Sequence, residues 1–414
     1  MAHLKRSIGI SLWFMFLTLP LMVVRVNTVA SEVEWRWQNL AWVGFGAFAI
    51  AWFWQYSIER RMAKRVRAAA EAHPQKQKHS LAQRLADDPV LSRRALIGVA
   101  ALAMIFPWLV STGQNFYHVN VMVSALIFVV LGLGLNITVG LAGLLDLGYI
   151  AFFAVGAYTY ALLSKNFGLG FWTCLPLGGV MGMLFGVVLG FPILRLRGDY
   201  LAIVTLGFAS ITKIVLENWD TVFGGAAGIA NIPRPDLFGI DLTGREKAVY
   251  TYYIVLALVA LTVLVTNRLK NSRIGRAWMA LREDEIASVA MGVDMARTKL
   301  SAYALGAFWA GLVGVIFAAH NNFINPDSFT FMDSAMILAM VVLGGMGSIL
   351  GVIIASLALK LLPEYLRAFA EYRMLVFGAV MVLMMIFRPQ GLINDMRRKY
   401  EYDTADGESD NGGE

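Results

Sequence analysis

From Ala95 to Leu145 the chain carries no aspartate, glutamate, lysine or arginine. A charge-free run of that length is long enough for two crossings of a hydrocarbon layer at about twenty residues each, with a break near Ser111 to Asn120. The composition places the whole chain in the same class: 58% of its 414 residues are hydrophobic, only 15% are charged, and mean hydropathy is positive. That is a polytopic membrane protein rather than a soluble enzyme. Its fold is expected to be all-α, with about ten to twelve transmembrane or broken helices. A net charge of +7 would suggest nucleic acid in a soluble protein. Here the basic residues gather in polar loops, so they hold those loops in the cytoplasm and no nucleic-acid partner is expected. The single cysteine, Cys174, excludes an internal disulfide and any multi-cysteine metal site.

Four regions follow along the chain. Residues 1–58 read as an accessory hairpin of two spans, Ser7 to Val24 and Ala41 to Ile58, with Arg25, Trp35 and Trp37 marking the interface between them. Thr28-Val29-Ala30 would pass as a signal cleavage site, but the apolar run before it is longer than a usual signal core, so a retained span is expected. Residues 59–94 hold ten Lys or Arg against four Asp or Glu and read as a basic cytoplasmic linker. Residues 95–395 are the core. Residues 396–414, acidic and glycine-rich beyond Tyr400, are expected to be a disordered cytoplasmic tail.

Within the core, residues 131–158 set Gly132, Gly134, Gly140, Gly143, Gly148 and Gly156 among Asn136, Thr138 and Asp146. Small residues allow close helix approach. A buried Asp146 is also costly unless it faces protein or water, which suggests a broken helix beside a polar path. Spans follow at Leu147 to Ser164, Phe171 to Leu194 and Tyr200 to Leu216. In the last, Thr205, Ser210 and Thr212 can bond carbonyls of the preceding turn, and Lys213 stands one turn before Glu217. Glu217 to Val249, with five acidic and three basic residues, is expected outside the membrane on the external face. Tyr250 to Thr266 and Leu300 to Ala319 are the next two spans.

The final third poses a problem of sidedness. If Ala335 to Leu362 were one crossing, Arg388, Arg397, Arg398 and Lys399 would end outside, against the charge bias. Two shorter helices broken at Gly344-Gly345-Met346-Gly347-Ser348 return the tail to the cytoplasm. The glycine cluster there echoes the one at 140–148, as in transporters with paired interrupted segments.

Between two apolar runs lies a charged island, Asn267 to Lys299. Apolar residues at Ile274, Ala277, Trp278 and Leu281, then at Ile286, Val289, Ala290 and Val293, mark one face on each of two short helices. Asp284 can cap the second and Gly292 can end it. From the pattern alone two readings stand: helices lying on lipid headgroups with Arg273, Arg276 and Arg282 snorkelling, or helices built to meet another protein.

Five stretches in order carry a resemblance: residues 131–163, GDYLAIVTLGFASI at 198–211, residues 272–318, MVVLGGMGS at 340–348 and FRPQGL at 387–392. Together they resemble the permease subunits of bacterial high-affinity branched-chain amino acid ABC importers, the longer M-type among them. The resemblance implies an inner-membrane subunit with both termini cytoplasmic that forms half of a translocation pore. It further implies a second homologous permease, two ATP-binding cassette ATPases, a periplasmic amino-acid-binding protein and surrounding lipid as partners, with no cofactor, metal or catalytic residue of its own. By the same resemblance Arg276 to Gly292 is a coupling loop, so Arg276, Trp278, Leu281, Arg282, Glu285 and Gly292 are the candidate ATPase-coupling residues, Trp278 and Leu281 being the expected anchors. The chain departs from the usual Glu-Ala-Ala-then-glycine pattern: Ile286 stands second, and Gly292 comes one residue late. Asn136, Thr138, Asp146, Thr205, Gly344, Gly345 and Gly347 are the candidate lining of the path.

Other classes fare worse. An ion-coupled carrier wants several buried acids or histidines, and the spans offer mainly Asp146, Asp333 and His320. There is no HExxH or GxSxG motif for an intramembrane enzyme, and no Gly-Lys pair for a phosphate loop.

Overall fold

The computed structural model describes residues 103–108, 116–193, 198–235, 244–365 and 391–393, the strand residues 24–27 and 32–35, and the single positions 15, 38, 196, 378, 379 and 382. The chain forms two compact units, 1–84 and 85–414.

In the first unit, β1 (Val24–Asn27) pairs antiparallel with β2 (Glu32–Trp35), Arg25 standing opposite Glu34 and Val26 opposite Val33. The sequence reading took Arg25 and Trp35 as interface markers between helical spans and missed this hairpin. Its signal is the two-residue alternation of Val-Arg-Val-Asn and Glu-Val-Glu-Trp. The proposed spans on either side, the basic linker and the acidic tail lie outside the described residues.

In the second unit, α1 (Tyr117–Leu135) continues into a π-helical turn (Asn136–Leu141). Then come α2 (Ile150–Phe167), α3 (Phe171–Ile193), α4 (Asp199–Asn218), the short α5 (Asp220–Phe223), β3 (Ile229–Ala230) and α6 (Gly244–Lys270). These lead to α7 (Arg273–Glu283), α8 (Glu285–Ala290), α9 (Met295–Asn321), β4 (Phe323–Ile324), α10 (Phe331–Gly344) and α11 (Ile349–Tyr365). Among the described residues six helices are long and apolar enough to cross a membrane, at 117–141, 171–192, 200–218, 246–270, 295–321 and 326–344. The protein is an all-α, polytopic membrane protein, as its composition implies.

A helix that is apolar on every side belongs inside a bundle. Every residue from Ala125 to Ala142 is buried, so α1 is the central helix. Antiparallel α9 packs along it, Gly134 meeting Trp309 and Thr138 meeting Gly306. On the other side of α9, helices α2 and α3 approach through glycine. A methyl group added at Gly156 would stand 2.0 Å from the Gly311 carbonyl oxygen, and one at Gly311 would stand 2.3 Å from that of Gly178. Backbone therefore meets backbone across three helices, the close approach that small residues permit in lipid. α3, α4 and α6 turn large apolar side chains such as Val188, Phe191, Ile203, Ile211, Leu261 and Leu264 outward, as lipid-facing helices do.

The bundle has two ends. One carries α7 and α8. The other carries α5, the two-residue ladder of β3 with β4, and Lys213, which pairs with Asp327 at 2.9 Å and with Glu217 at 3.3 Å. The one-turn spacing of Lys213 and Glu217 thus forms the pair expected of it, and Thr205, Ser210 and Thr212 bond the carbonyls of Ala202, Leu206 and Phe208. α6 begins at Gly244, earlier than the expected Tyr250, because the charged Arg245-Glu246-Lys247 turn joins the helix rather than the loop.

α10 and α11 form the hairpin inferred from the break at Gly344 to Ser348. α10 itself has 14 residues, about 21 Å of helix, and reaches spanning length only together with residues 326–330 before it. It stops at Gly345 (φ 102°), and α11 departs from Ile349 in the opposite direction. Leu392 and Ile393 then donate backbone N–H groups to the carbonyls of Leu343 and Gly344, so by Gly391 the chain is back at the end that carries α7 and α8.

Candidate coupling junction

α7 and α8 are built as a rigid bracket. Ser272 caps α7, its hydroxyl accepting from Gly275 N–H at 3.1 Å. Asp284 caps α8, accepting from the N–H groups of Ile286 and Ala287 at 2.8 and 3.0 Å. Gly292 (φ 86°) closes α8: its N–H reaches the Val289 carbonyl while that of Val293 reaches Ser288, both at 3.0 Å. Those two bonds make a Schellman motif, which a left-handed glycine permits. The cap and stop read from the sequence are therefore the ones the chain uses.

The direction of the apolar faces is different from the expectation. Trp278 is 0% exposed and Leu281 3%, while Ile286 is 73% and Met291 85% exposed. The indole N–H of Trp278 donates to the Thr298 carbonyl and the Ser301 hydroxyl, both at 3.0 Å, which pins α7 to the first turns of α9. Trp278 and Leu281 thus anchor the loop to its own chain and offer no side chain to a partner. A buried indole needs a partner for its N–H, and α9 supplies two. Glu285 is likewise turned inward, 2.6 Å from the buried ammonium of Lys299. Arg276 is exposed and donates to the Asn271 carbonyl at 3.1 Å. Ile286, Val289 and Met291 are left as an apolar surface on the outer side of the bracket.

Above the bracket two helical hairpins meet. The π-helical turn and residues 142–149 join α1 to α2, and residues 345–348 join α10 to α11. Asn136, fully buried, accepts from Gly347 N–H through Oδ1 at 2.9 Å. Gly140 packs against the same point, since a methyl there would lie 2.6 Å from Gly347 N. The glycine clusters at 140–148 and 344–351 are therefore in direct contact.

The bracket reaches both. Arg282 Nη1 donates to the Gly140 carbonyl, and Lys270 Nζ donates to the Gly347 carbonyl at 3.2 Å. Arg282 also lies along Gly143 (φ 72°), where an added methyl would stand 2.7 Å from Arg282 Cγ. Gly143 thus combines a left-handed backbone with a contact too close for any side chain.

The remaining candidates hold the α1–α2 turn in shape. Asp146 is buried and accepts from Gly148 N–H through Oδ1 at 2.8 Å, with Oδ2 unpartnered. Thr205 accepts from Leu147 N–H at 3.0 Å, which ties α4 to the turn. Thr138 bonds the Leu135 carbonyl at 3.1 Å and faces Gly306 of α9. Asp333 closes a capping box with Thr330, a structural duty rather than ion handling. Among the described residues no group of three or more His, Cys, Asp or Glu side chains gathers to hold a metal.

Residues 117–385 match the family described as the permease component of the branched-chain amino acid transport system. The chain belongs to that family. It is 44% identical over 388 residues to the high-affinity branched-chain amino acid transport system permease protein LivM of Escherichia coli K12, covering 89% of this chain and 87% of that protein. The LivM protein of Salmonella typhimurium is 43% identical over the same shares. The high-affinity branched-chain amino acid transport system permease protein LivH of Escherichia coli K12 is 25% identical over 288 residues, 64% of this chain and 91% of LivH. No solved structure matches the chain.

For this permease the structure brings Asn136, Gly347 and Arg282 to one junction, although Arg282 was assigned to the loop and the other two to the path. Lys270 and Lys299 escaped the sequence reading. Both are lysines at the ends of apolar helices, where snorkelling to water is the ordinary expectation. For Lys270 the available signal was that turns leave carbonyls without partners, which nearby cations satisfy.

Proposed function

We propose that the chain is a transmembrane permease subunit of an ATP-driven importer for branched-chain amino acids. It forms half of the translocation pore with a homologous second permease and couples to separate ATPase subunits through α7 and α8. The observation that carries the reading is the bracket itself: a capped, ion-paired helix that presents Ile286, Val289 and Met291 outward while every anchoring side chain points in. An apolar face held that rigidly suits a protein groove, the way amphipathic helices are commonly received. The bracket end is cytoplasmic, since Arg268, Lys270, Arg273, Arg276 and Arg282 collect there. On this reading both termini are cytoplasmic, and the far end meets an amino-acid-binding protein in the periplasm. Asn136, Thr138, Asp146, Thr205, Gly344, Gly345 and Gly347 shape the turns beside the path.

The test is reconstitution in vesicles with a LivH-like permease, the two ATPases and the binding protein. ATP-dependent leucine uptake is expected with the full set and none when this chain is omitted. Purified alone, the chain is expected to bind no nucleotide; saturable binding would sink the assignment of ATP chemistry to its partners.

Sidedness has its own test. Asp327, whose side chain is 74% exposed, lies at the far end, and the one native cysteine, Cys174, is buried. Asp327→Cys is expected to react in intact cells, stripped of their outer membrane, with a maleimide that cannot cross lipid. Reaction only after the inner membrane is opened would invert the topology.

A further inference from the structure

Resting on the proposed function and going beyond it, we infer that Arg282 and Lys270 form a two-point clasp that passes movement of the docking bracket directly into the two hairpin turns. Both donors belong to the bracket and its entry: Lys270 is the last residue of α6, and Arg282 is the penultimate residue of α7. Their acceptors belong to different hairpins, Gly140 between α1 and α2 and Gly347 between α10 and α11. Asn136 joins the hairpins to each other through Gly347 N–H, so the clasp and the Asn136 bond close a three-way link.

Three features make this a transmitting contact rather than simple capping. The carbonyls lie at interrupted backbone, where no helical partner satisfies them, so the cations supply charge-assisted bonds to otherwise open acceptors. The contact is steric as well, since Arg282 fills the space over Gly143 and a methyl at Gly347 would stand 3.6 Å from its Nη1. The bracket cannot absorb a push by bending, because Trp278 pins α7 to α9 and the Lys299–Glu285 pair pins α8. A shift of the outer apolar face must therefore move Arg282, and with it the π-helical turn, whose wide hydrogen-bonding is a common site of helix adjustment. Met346, 43% exposed, and Leu145, 36% exposed, ride on the two turns and report their position.

The test uses the complete transporter in lipid vesicles and compares leucine imported per ATP hydrolysed. Arg282→Ala and Lys270→Met are expected to retain the ATPases and hydrolysis stimulated by the binding protein, while import per ATP falls about tenfold. Arg282→Lys, which keeps one donor near the Gly140 carbonyl, is expected to recover part of the ratio. A positional readout accompanies it: with Cys174→Ser as background, the alkylation rate of Met346→Cys is expected to change when the ATPases are trapped with ATP and vanadate. Arg282→Ala is expected to abolish that change. The clasp is overturned if import per ATP is unaltered, if import and hydrolysis fall in parallel, or if Met346→Cys still responds to nucleotide in Arg282→Ala. Should Arg282→Ala fail to assemble, Lys270→Met decides the matter, and failure of both to assemble also overturns the clasp in favour of a purely structural contact. Absence of ATP-dependent uptake in the unaltered transporter would instead remove the importer reading on which the clasp rests.

Discussion

Gly311→Leu is expected to abolish accumulation of the folded permease in the membrane, while Gly207→Leu is tolerated. Both are glycines inside spanning helices, and the sequence offers no reason to separate them. Around Gly311 an added methyl meets the Gly178 carbonyl oxygen at 2.3 Å and Gly182 Cα at 3.0 Å, whereas at Gly207 it meets nothing within 4 Å. Overpacking ordinarily costs about 1–3 kcal/mol because neighbouring side chains give way. At Gly311 the neighbours are backbone on α3, and Gly156 of α2 lies against the carbonyl of Gly311 itself, so relief requires moving two helices away from α9. Lost packing along those helices adds to the steric cost, and the sum exceeds the usual range for a point substitution. The measurement is the yield of folded protein in membranes and the midpoint of thermal unfolding in detergent. Equal behaviour of the two variants would show that the glycine contact between α2, α3 and α9 is not what holds the bundle.

That contrast marks the limit of what the sequence discloses. The hairpin of α10 and α11 was legible because Gly344 to Ser348 interrupts an apolar run and the basic tail has to return to one side, two constraints that agree. The Asp284 cap and the Gly292 stop were legible because capping is local chemistry, decided within four residues. The facing of Trp278 was not, since an amphipathic stripe states that one side is apolar and not which protein buries it. In α7 the stripe is satisfied by α9 of the same chain, while in α8 Ile286 and Val289 are left outward. The convergence of Asn136, Gly140, Gly347, Arg282 and Lys270 spans separations of up to 211 residues and depends on how the hairpins stack. Only the similarity of the two glycine clusters hinted at it.

The distinction between inward and outward apolar residues fixes what substitutions in the bracket should do. Ile286→Asp combined with Met291→Asp is expected to leave the permease folded, paired with its partner permease and as heat-stable as the unaltered chain, yet unable to retain the ATPase or to transport. Ile286 and Met291 are 73% and 85% exposed, so placing charge there costs the isolated fold little. If they seat in an ATPase groove, each is an anchor whose removal costs about 2 kcal/mol or more of binding, and a buried unpaired carboxylate adds to that. Two such losses weaken association by roughly a thousandfold at about 1.4 kcal/mol per factor of ten. Trp278→Ala should behave in the opposite order. Its ring is fully buried and its N–H holds Thr298 and Ser301, so the deletion opens a cavity and frees α7 from α9, at a cost of about 3–5 kcal/mol to the packing of that region. The permease itself should then melt earlier, with ATPase loss following from a disordered bracket rather than from a missing contact. Thermal unfolding of the detergent-purified permease pair, set beside co-purification of the ATPase, separates the two. Normal ATPase retention in the double aspartate variant would mean that this apolar face rests on lipid and that coupling enters the permease elsewhere.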